Sequence, residues 1–106
     1  MFARHLRMGL KADGRSGFVK AIDKETIPAL KKFAGFAGEI VLVSTDGREV
    51  LGISMWDNKE HAETYDRQGS AGVLKALAKF TEGKPELRTY EITNSTIEKL
   101  SVRKAA

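Results

Sequence analysis

The stretch that decides the fold is EIVLVSTDGREVLGISMW, residues 39–56. It opens with a β-branched and almost continuous apolar run, Glu39 to Ser44, which predicts a strand buried on both faces. Asp46-Gly47 follows, and Asp-Gly between two apolar strands is a strong signal for a hairpin. The return strand is predicted from Glu49 to Trp56. A β-hairpin therefore lies near the middle of the chain.

Upstream of this hairpin the sequence predicts one strand and one helix. The residues from Phe2 to Met8 alternate loosely between apolar and polar, as in a half-buried strand. From Ser16 to Phe33 the apolar residues follow helical spacing. Pro28 lies inside that stretch and lacks a backbone donor, so we expect it to kink or split the helix.

Downstream of the hairpin the sequence predicts two helical segments and a last strand. Asp57 is expected to cap the first segment, with Glu60 reciprocating. Gln68-Gly69 interrupts the helix, and Ser70 is expected to cap a second segment that ends before Gly83-Lys84-Pro85. The final strand is predicted from Glu86 to Ser95.

The resulting order, β-α-β-β-α-β, is the ferredoxin-like pattern of an α+β domain. It makes a four-stranded antiparallel sheet with helices on one face only. Because the apolar residues of the hairpin alternate onto both faces, the other face is an association surface, and a second copy of the chain is its simplest cover. We expect a single domain, residues 1–106, acting as a homodimer, with the tail 96–106 as an arm that contacts the partner.

Composition narrows the function classes. The 106 residues carry a net charge of +4 and no cysteine, which excludes disulfides, thiolate metal sites and cysteine nucleophiles. Basic and acidic residues are interleaved and no nucleic-acid-binding motif is present, so no nucleic-acid partner is expected. The N-terminus lacks the apolar segment of a secretory signal, and no run is long enough to cross a bilayer. A cytoplasmic protein without a membrane partner is expected.

A small set of aromatic and polar residues could form a ligand site. Trp56, Tyr65 and Tyr90 each carry a polar tip, and with Met55 and Met8 they either line a flat apolar cleft between sheet and helices or fill the core. His5 lies in the middle of the first strand. It is either a proton acceptor or a polar residue at the sheet edge or dimer seam. His61 is interpreted as a surface residue, and neither histidine has the spacing of a metal site.

The chain resembles the antibiotic biosynthesis monooxygenase family of the dimeric α/β barrel superfamily. The resemblance covers Phe2 to about Ser95 and is carried by the element order, the Gly35-Phe36 step and the junction Ile53-Ser54-Met55-Trp56-Asp57-Asn58-Lys59-Glu60. Further support comes from the run from Val73 to Phe80 and from Pro85 leading into Tyr90-Glu91-Ile92. The combination in this order carries the resemblance, since no single piece is specific.

The resemblance implies two ferredoxin-like protomers whose sheets meet, each with a pocket between its sheet and helices. Some family members oxidise aromatic polyketides or quinols with no metal or flavin, by deprotonating a phenol whose anion reacts directly with dioxygen. On that model no cofactor is needed. Trp56 is a pocket wall, His5 or Tyr65 handles the proton, and Arg4 or Arg7 favours the anion. Arg7, Met55 and Tyr90 join Trp56 as predicted substrate contacts.

Two hypotheses about the function therefore remain open from the sequence. The first is a cofactor-independent monooxygenase acting on a small aromatic or quinol-type molecule. The second is a non-catalytic dimer of the same fold that binds a small apolar ligand or acts as an interaction module. A haem-degrading activity is disfavoured, since Lys75 stands nearest to the place where that branch of the superfamily has its histidine. A proton acceptor with a shifted pKa in a large pocket would favour the oxygenase.

Overall fold

The computed structural model of the protein describes residues 1–97. The strands are β1 (Phe2–Leu10), β2 (Phe36–Val43), β3 (Glu49–Trp56) and β4 (Thr81–Glu91). The helices are α1 (Arg15–Ala21), α2 (Ile27–Lys31), α3 (Lys59–Gln68) and α4 (Ser70–Leu77), and a π-helical turn, Ile22–Thr26, joins α1 to α2. From residue 98 onward, the predicted arm 96–106 lies outside the described residues.

The four strands form one antiparallel sheet in the order β2-β3-β1-β4. This order, with helices between β1 and β2 and between β3 and β4, confirms the predicted ferredoxin-like α+β fold. The central hairpin forms where predicted. Its turn is closed by Asp46, whose Oδ1 accepts hydrogen bonds from the Ser44 hydroxyl and the Arg48 backbone N–H. Gly47 adopts φ +73°, a conformation that glycine reaches without a steric penalty.

The predicted helix from Ser16 to Phe33 is split, but the irregularity comes before Pro28. The backbone N–H of Ile27 bonds to the carbonyl of Ile22, five residues back, which widens the helix by one residue. Pro28 lies in the first turn of α2, where its missing N–H costs little. The π-helical turn places Thr26 in the protein interior.

The start of α3 differs from the prediction by one residue. Its cap is Asn58, whose Oδ1 accepts the backbone N–H of His61 at 2.8 Å. Asp57, predicted as the cap, instead contacts Nδ1 of His61 at 2.6 Å. Asn58 has the extended backbone that a capping residue needs, with φ −154° and ψ 170°.

The cap predicted at Ser70 was also wrong, and the last strand forms with other bounds, Thr81–Glu91 instead of Glu86 to Ser95. The Ser70 hydroxyl donates to the carbonyl of Asp66 at 2.6 Å, and Gly69 occupies the cap position of α4. Strand β4 begins at Thr81 because its pairing with β1 continues through a bulge as far as Leu10. Gly83-Lys84-Pro85 therefore lies within this strand. An edge strand tolerates proline, since one side of its backbone pairs with nothing.

The helices pack on one sheet face, which we call the covered face, and the opposite face is the open face. The covered face holds the main core, which includes Phe18, Val50 and Trp56. On the open face Ile40 is 39% and Leu42 is 47% exposed. The predicted burial of this strand on both faces is therefore not found in the single chain, because β2 is an edge strand with helices on one side only.

Candidate functional site

A row of polar side chains crosses the covered face of the sheet at one level. Glu39 of β2 pairs with Ser54 of β3, Ser54 pairs with Arg4 of β1, and Arg4 pairs with Thr89 of β4. Side chains at paired positions project from the same sheet face. The fold thus places a carboxyl, a hydroxyl and a guanidinium side by side within an otherwise apolar layer.

This row borders an interior cavity of about 40 Å³ between the sheet and the helices. Its polar wall consists of Arg4, Thr26, Glu39, Ser54 and Tyr65. Its apolar wall consists of Leu6, Met8, Phe18, Ile22, Leu30, Val41, Val73 and Leu77, with Gly52 completing the lining. A cavity needs about 10–15 Å³ to hold a water molecule, and about 150 Å³ accommodates a benzene ring. The cavity therefore has room for water but not for an aromatic substrate.

Glu39 is the titratable group most altered by this environment. Burial raises the pKa of its carboxyl to about 7, although the positive charge of Arg4 acts in the opposite direction. Its Oε1 atom is buried and has no hydrogen-bond partner among residues 1–97, and the same is true of Oγ1 of Thr26. Both atoms belong to residues that line the cavity. The carboxyl is therefore poised to exchange a proton near neutral pH.

Arg4 connects the cavity to the surface. The residue is only 7% exposed, yet its Nη2 atom donates to Oδ1 of Asp66 on α3 at 2.7 Å. Its guanidinium carbon lies 4.9 Å from the ring centroid of Tyr65, a cation–π contact. Arg4 is therefore a buried cation that is held between a carboxylate on its solvent side and an aromatic ring.

Trp56 and Tyr65 form an aromatic pair below this cation. Their rings stack with centroids 5.2 Å apart and planes inclined by 25°. The Trp56 indole N–H donates to Oγ of Ser54 at 3.0 Å, which fixes the orientation of the indole ring. Burial raises the pKa of Tyr65 to about 12 in spite of the nearby positive charge of Arg4. Its phenol stays protonated at neutral pH and serves as a donor rather than a base.

A second space, a surface cleft of about 200 Å³, lies beside α3 on the other side of Arg4. It is lined by Phe2, Arg4, Lys59, Ala62, Glu63, Asp66, Leu87 and Thr89. Its volume exceeds the ~150 Å³ that a single aromatic ring requires. Arg4 is shared by the cleft and the interior cavity, so a ligand in the cleft would lie next to the polar row.

The structure does not bring all the residues predicted for the site together. Tyr65 and Trp56 are buried on the covered face, where Tyr65 lines the cavity. Strand alternation places His5, Arg7, Met55 and Tyr90 on the open face instead. His5 lies edge-on to Tyr90 at 6.0 Å, and the pKa of Arg7 is raised by its hydrogen bond to Glu49. The fold therefore does not place both groups of residues in a single cleft.

Sequence reasoning missed the two carboxylates of the site, Glu39 and Asp66. The signal for Glu39 was its place in the predicted hairpin strand, where a charged residue joins an apolar run. Its partner could not be named, because Arg4 lies on a strand 35 residues away and the cross-strand register is not written in the sequence. Asp66 gave no signal, since a charged residue on an exposed helix face is ordinary.

Neither a metal-binding cluster nor a membrane-spanning helix is found among the described residues. In the part of the chain that the structure describes, no group of three or more His, Asp or Glu side chains could hold a metal ion. Within residues 1–97 there is also no helix long and apolar enough to cross a membrane.

Comparison with known proteins gave matches among solved structures only. No family model and no curated protein matches the chain. A monooxygenase from the gene ActVA-Orf6 of Streptomyces coelicolor, solved with the ligand nanaomycin D, superposes with a TM-score of 0.76 at 16% identity, over 91% of this chain and 90% of that one. SnoaB, a cofactor-independent oxygenase from Streptomyces nogalater, gives a TM-score of 0.69 at 12% identity, over 90% and 96% of the two chains.

A Nitrosomonas europaea protein, provisionally designated an antibiotic biosynthesis monooxygenase, gives a TM-score of 0.70 at 12% identity, over 84% of this chain and 86% of that one. These structures confirm the predicted resemblance at the level of fold. The neighbours thus include a monooxygenase and a cofactor-independent oxygenase. At such identities the likeness shows the fold alone, and activity has to be argued from the site itself.

Proposed function

We propose that this chain is a cofactor-independent monooxygenase that acts on a small aromatic or quinol-type substrate in the cleft between sheet and helices. The observation that carries the proposal is Glu39, a carboxyl with a pKa of about 7 that borders an interior cavity beside the buried cation Arg4. A proton acceptor near neutral pH and a cation that favours a phenolate are the two groups this chemistry requires. The family fold supports the same assignment.

The substrate ring occupies the surface cleft, because the cavity is too small for it. Its phenol oxygen lies against Arg4, which stabilises the anion. The cavity has room for a water molecule that passes the proton to Glu39. Tyr65 keeps its own proton and stacks on Trp56, so it acts as a wall and a donor.

The electron-rich anion then reacts with dioxygen. For an anthrone the ring methylene loses two hydrogens and gains one oxygen atom to become a carbonyl, and the second oxygen atom leaves as water. The protein supplies the deprotonation and the orientation of the ring. No oxidant other than dioxygen enters this balance.

Oxygen uptake with an anthrone and with a menadiol tests the proposal. We expect consumption above the buffer rate, and we expect Glu39→Gln to lower it by about 100-fold, the lower range for general-base catalysis. Glu60→Gln removes a carboxylate of the exposed α3 surface and is the control. A panel of such substrates with rates equal to buffer would contradict the proposal. A His5→Ala variant decides between the proton acceptors, since full turnover in it removes His5 from the mechanism.

A second candidate function is a non-catalytic dimer that binds a small ligand. The observation in its favour is the fully buried Trp56, which stacks on Tyr65 within the core and lines neither the cavity nor the cleft. Ligand binding without oxygen consumption would favour it.

Both candidates include a homodimer, which we propose from the open face of the sheet. Ile40, Leu42 and Tyr90 are 39–47% exposed there, next to a small apolar cluster around Ala3 and Met55. The open face of a second copy would cover these side chains.

A further inference from the structure

Arg4 and Asp66 form an ion pair between unequal environments. The Arg4 side chain is 8% exposed, whereas the Asp66 side chain, 2.7 Å away, is 50% exposed. Arg4 lines both the interior cavity and the surface cleft, and Asp66 lines the cleft alone. A buried cation is therefore held at the cleft by a carboxylate that water reaches freely.

This arrangement leaves the cation open to exchange of its partner. A guanidinium carries five N–H donors and binds a planar carboxylate through two of them. Among residues 1–97 the structure records one salt bridge of Arg4, the one to Asp66. Water screens the exposed side of this ion pair, where Asp66 lies. A second anion in the cleft can therefore compete with Asp66 for the same donors.

The rest of the cleft fits a flat apolar body with one charged end. Phe2, Ala62 and Leu87 contribute apolar surface, and Thr89 contributes a hydroxyl next to Arg4 in the strand register. Lys59 adds a second cation, which the carboxylate of Glu63 opposes. The volume of about 200 Å³ accepts an aromatic ring with a short substituent.

We propose that the cleft binds a planar aromatic anion, a carboxylate or a phenolate, whose charged oxygen displaces Asp66 from the Arg4 guanidinium. Asp66 is thus a built-in competitor that occupies the anion position when no ligand is bound. A neutral aromatic molecule of the same shape leaves the ion pair in place, and a phenol displaces Asp66 only as its anion. The inference deepens the proposed function, on which it rests for the aromatic nature of the ligand, and it adds the charge of that ligand and the residue that selects it.

The test compares naphthoate with its neutral isostere naphthamide, using calorimetry on the full chain. We expect Asp66→Asn to bind naphthoate about fivefold more tightly than the unaltered protein, the upper range for losing a competing exposed ion pair. Naphthamide affinity should stay the same in both proteins. Glu60→Gln removes a carboxylate from the same helix but away from the cleft, so it controls for a general change in charge.

Each outcome is decisive for the proposal. If Asp66→Asn leaves naphthoate affinity unchanged or weakens it, or if Glu60→Gln raises it equally, Asp66 is not a competitor at the site. Absence of naphthoate binding to both proteins also overturns the proposal. In the unaltered protein, naphthoate should shift the amide NMR signals of Ala62 and Thr89. Shifts confined to the open face would place the ligand elsewhere and contradict it.

The outcome is separable from the proposed function, because the assay measures binding and not turnover. Selective naphthoate binding that Asp66→Asn strengthens, without oxygen uptake on any substrate, would support the anion site and remove the oxygenase. Oxygen uptake together with unchanged anion affinity in Asp66→Asn would support the oxygenase and remove Asp66 as a competitor at the anion site.

Discussion

Glu39 lies diagonally across the β2–β3 pair from Gly52, and its carboxyl occupies space that a side chain on Gly52 would restrict. A Cβ atom on Gly52 would lie 3.3 Å from Oε2 of Glu39. Such a contact is tighter than ordinary van der Waals packing, so the carboxyl would have to move. Gly52 also lines the interior cavity, as Glu39 does. The missing side chain at Gly52 therefore leaves room for the proton acceptor.

Gly52→Ala should cost about 1 kcal/mol of unfolding free energy, the lower range for an overpacked core. The cost should disappear in the background Glu39→Ala, since the group that meets the new methyl is then absent. Urea unfolding of the two single variants and the double variant measures this coupling.

Gly38→Ala is the matched control on β2, because its Cβ would meet only the flexible end of Met55 at 3.4 Å. We expect it to be tolerated. Equal costs for Gly52→Ala in both backgrounds would show that Glu39 does not depend on this glycine.

Glu39 should also impose a pH dependence on stability. Its folded pKa of about 7 is raised from 4.5, so between these values the folded state binds more protons than the unfolded chain. The unfolding free energy therefore falls as pH rises through this window, by up to about 3 kcal/mol, and the loss is complete above the folded pKa.

Comparison with Glu39→Gln isolates this contribution, because the other titrating groups remain. The difference in unfolding free energy between the two proteins, measured by urea titration from pH 4 to pH 8, should change in favour of the variant as pH rises. A difference that does not vary with pH would mean that the folded-state pKa of Glu39 is close to its ordinary value.

The sequence predicted the fold because its periodicity is local information. The hairpin from residue 39 to residue 56 and the alternation of Phe2 and Met8 are each readable within a few residues. The site was not readable in this way. Arg4 and Glu39 meet only through the register of three strands, and one residue of register shift would place them on opposite faces.

The same argument explains why the predicted site was divided. Met55 and Trp56 are neighbours in sequence, and consecutive strand residues project from opposite faces. Trp56 is fully buried on the covered face, so Met55 has to lie on the open face. In the same way, His5 follows Arg4 in β1 and therefore projects from the opposite face. The alternation of side chains along a strand would have been enough to predict this separation from the sequence, because it does not require the strand partners to be known.

Leu42→Lys should dissociate the proposed homodimer. Leu42 is 47% exposed on the open face, and a lysine there would have to bury its charge within the proposed partner contact. Sedimentation should show a dimer for the unaltered protein and a monomer for the variant. Val19→Lys is the control, since Val19 is 44% exposed on α1, on the helical side of the molecule. A monomeric unaltered protein at micromolar concentration would contradict the dimer.

The hydrogen bond between Trp56 and Ser54 can be tested for its role in positioning the indole ring. Both residues are buried, and the indole N–H has the Ser54 hydroxyl as its acceptor at 3.0 Å. Ser54→Ala leaves that donor without its acceptor, which should cost about 1–3 kcal/mol of unfolding free energy. In the background Trp56→Phe the donor is absent, so the same serine change should cost much less. The four proteins form a double-mutant cycle that urea unfolding at one pH can measure. Equal costs of Ser54→Ala in both backgrounds would show that the bond does not position the indole, and the stacking of Trp56 on Tyr65 would then rest on packing alone.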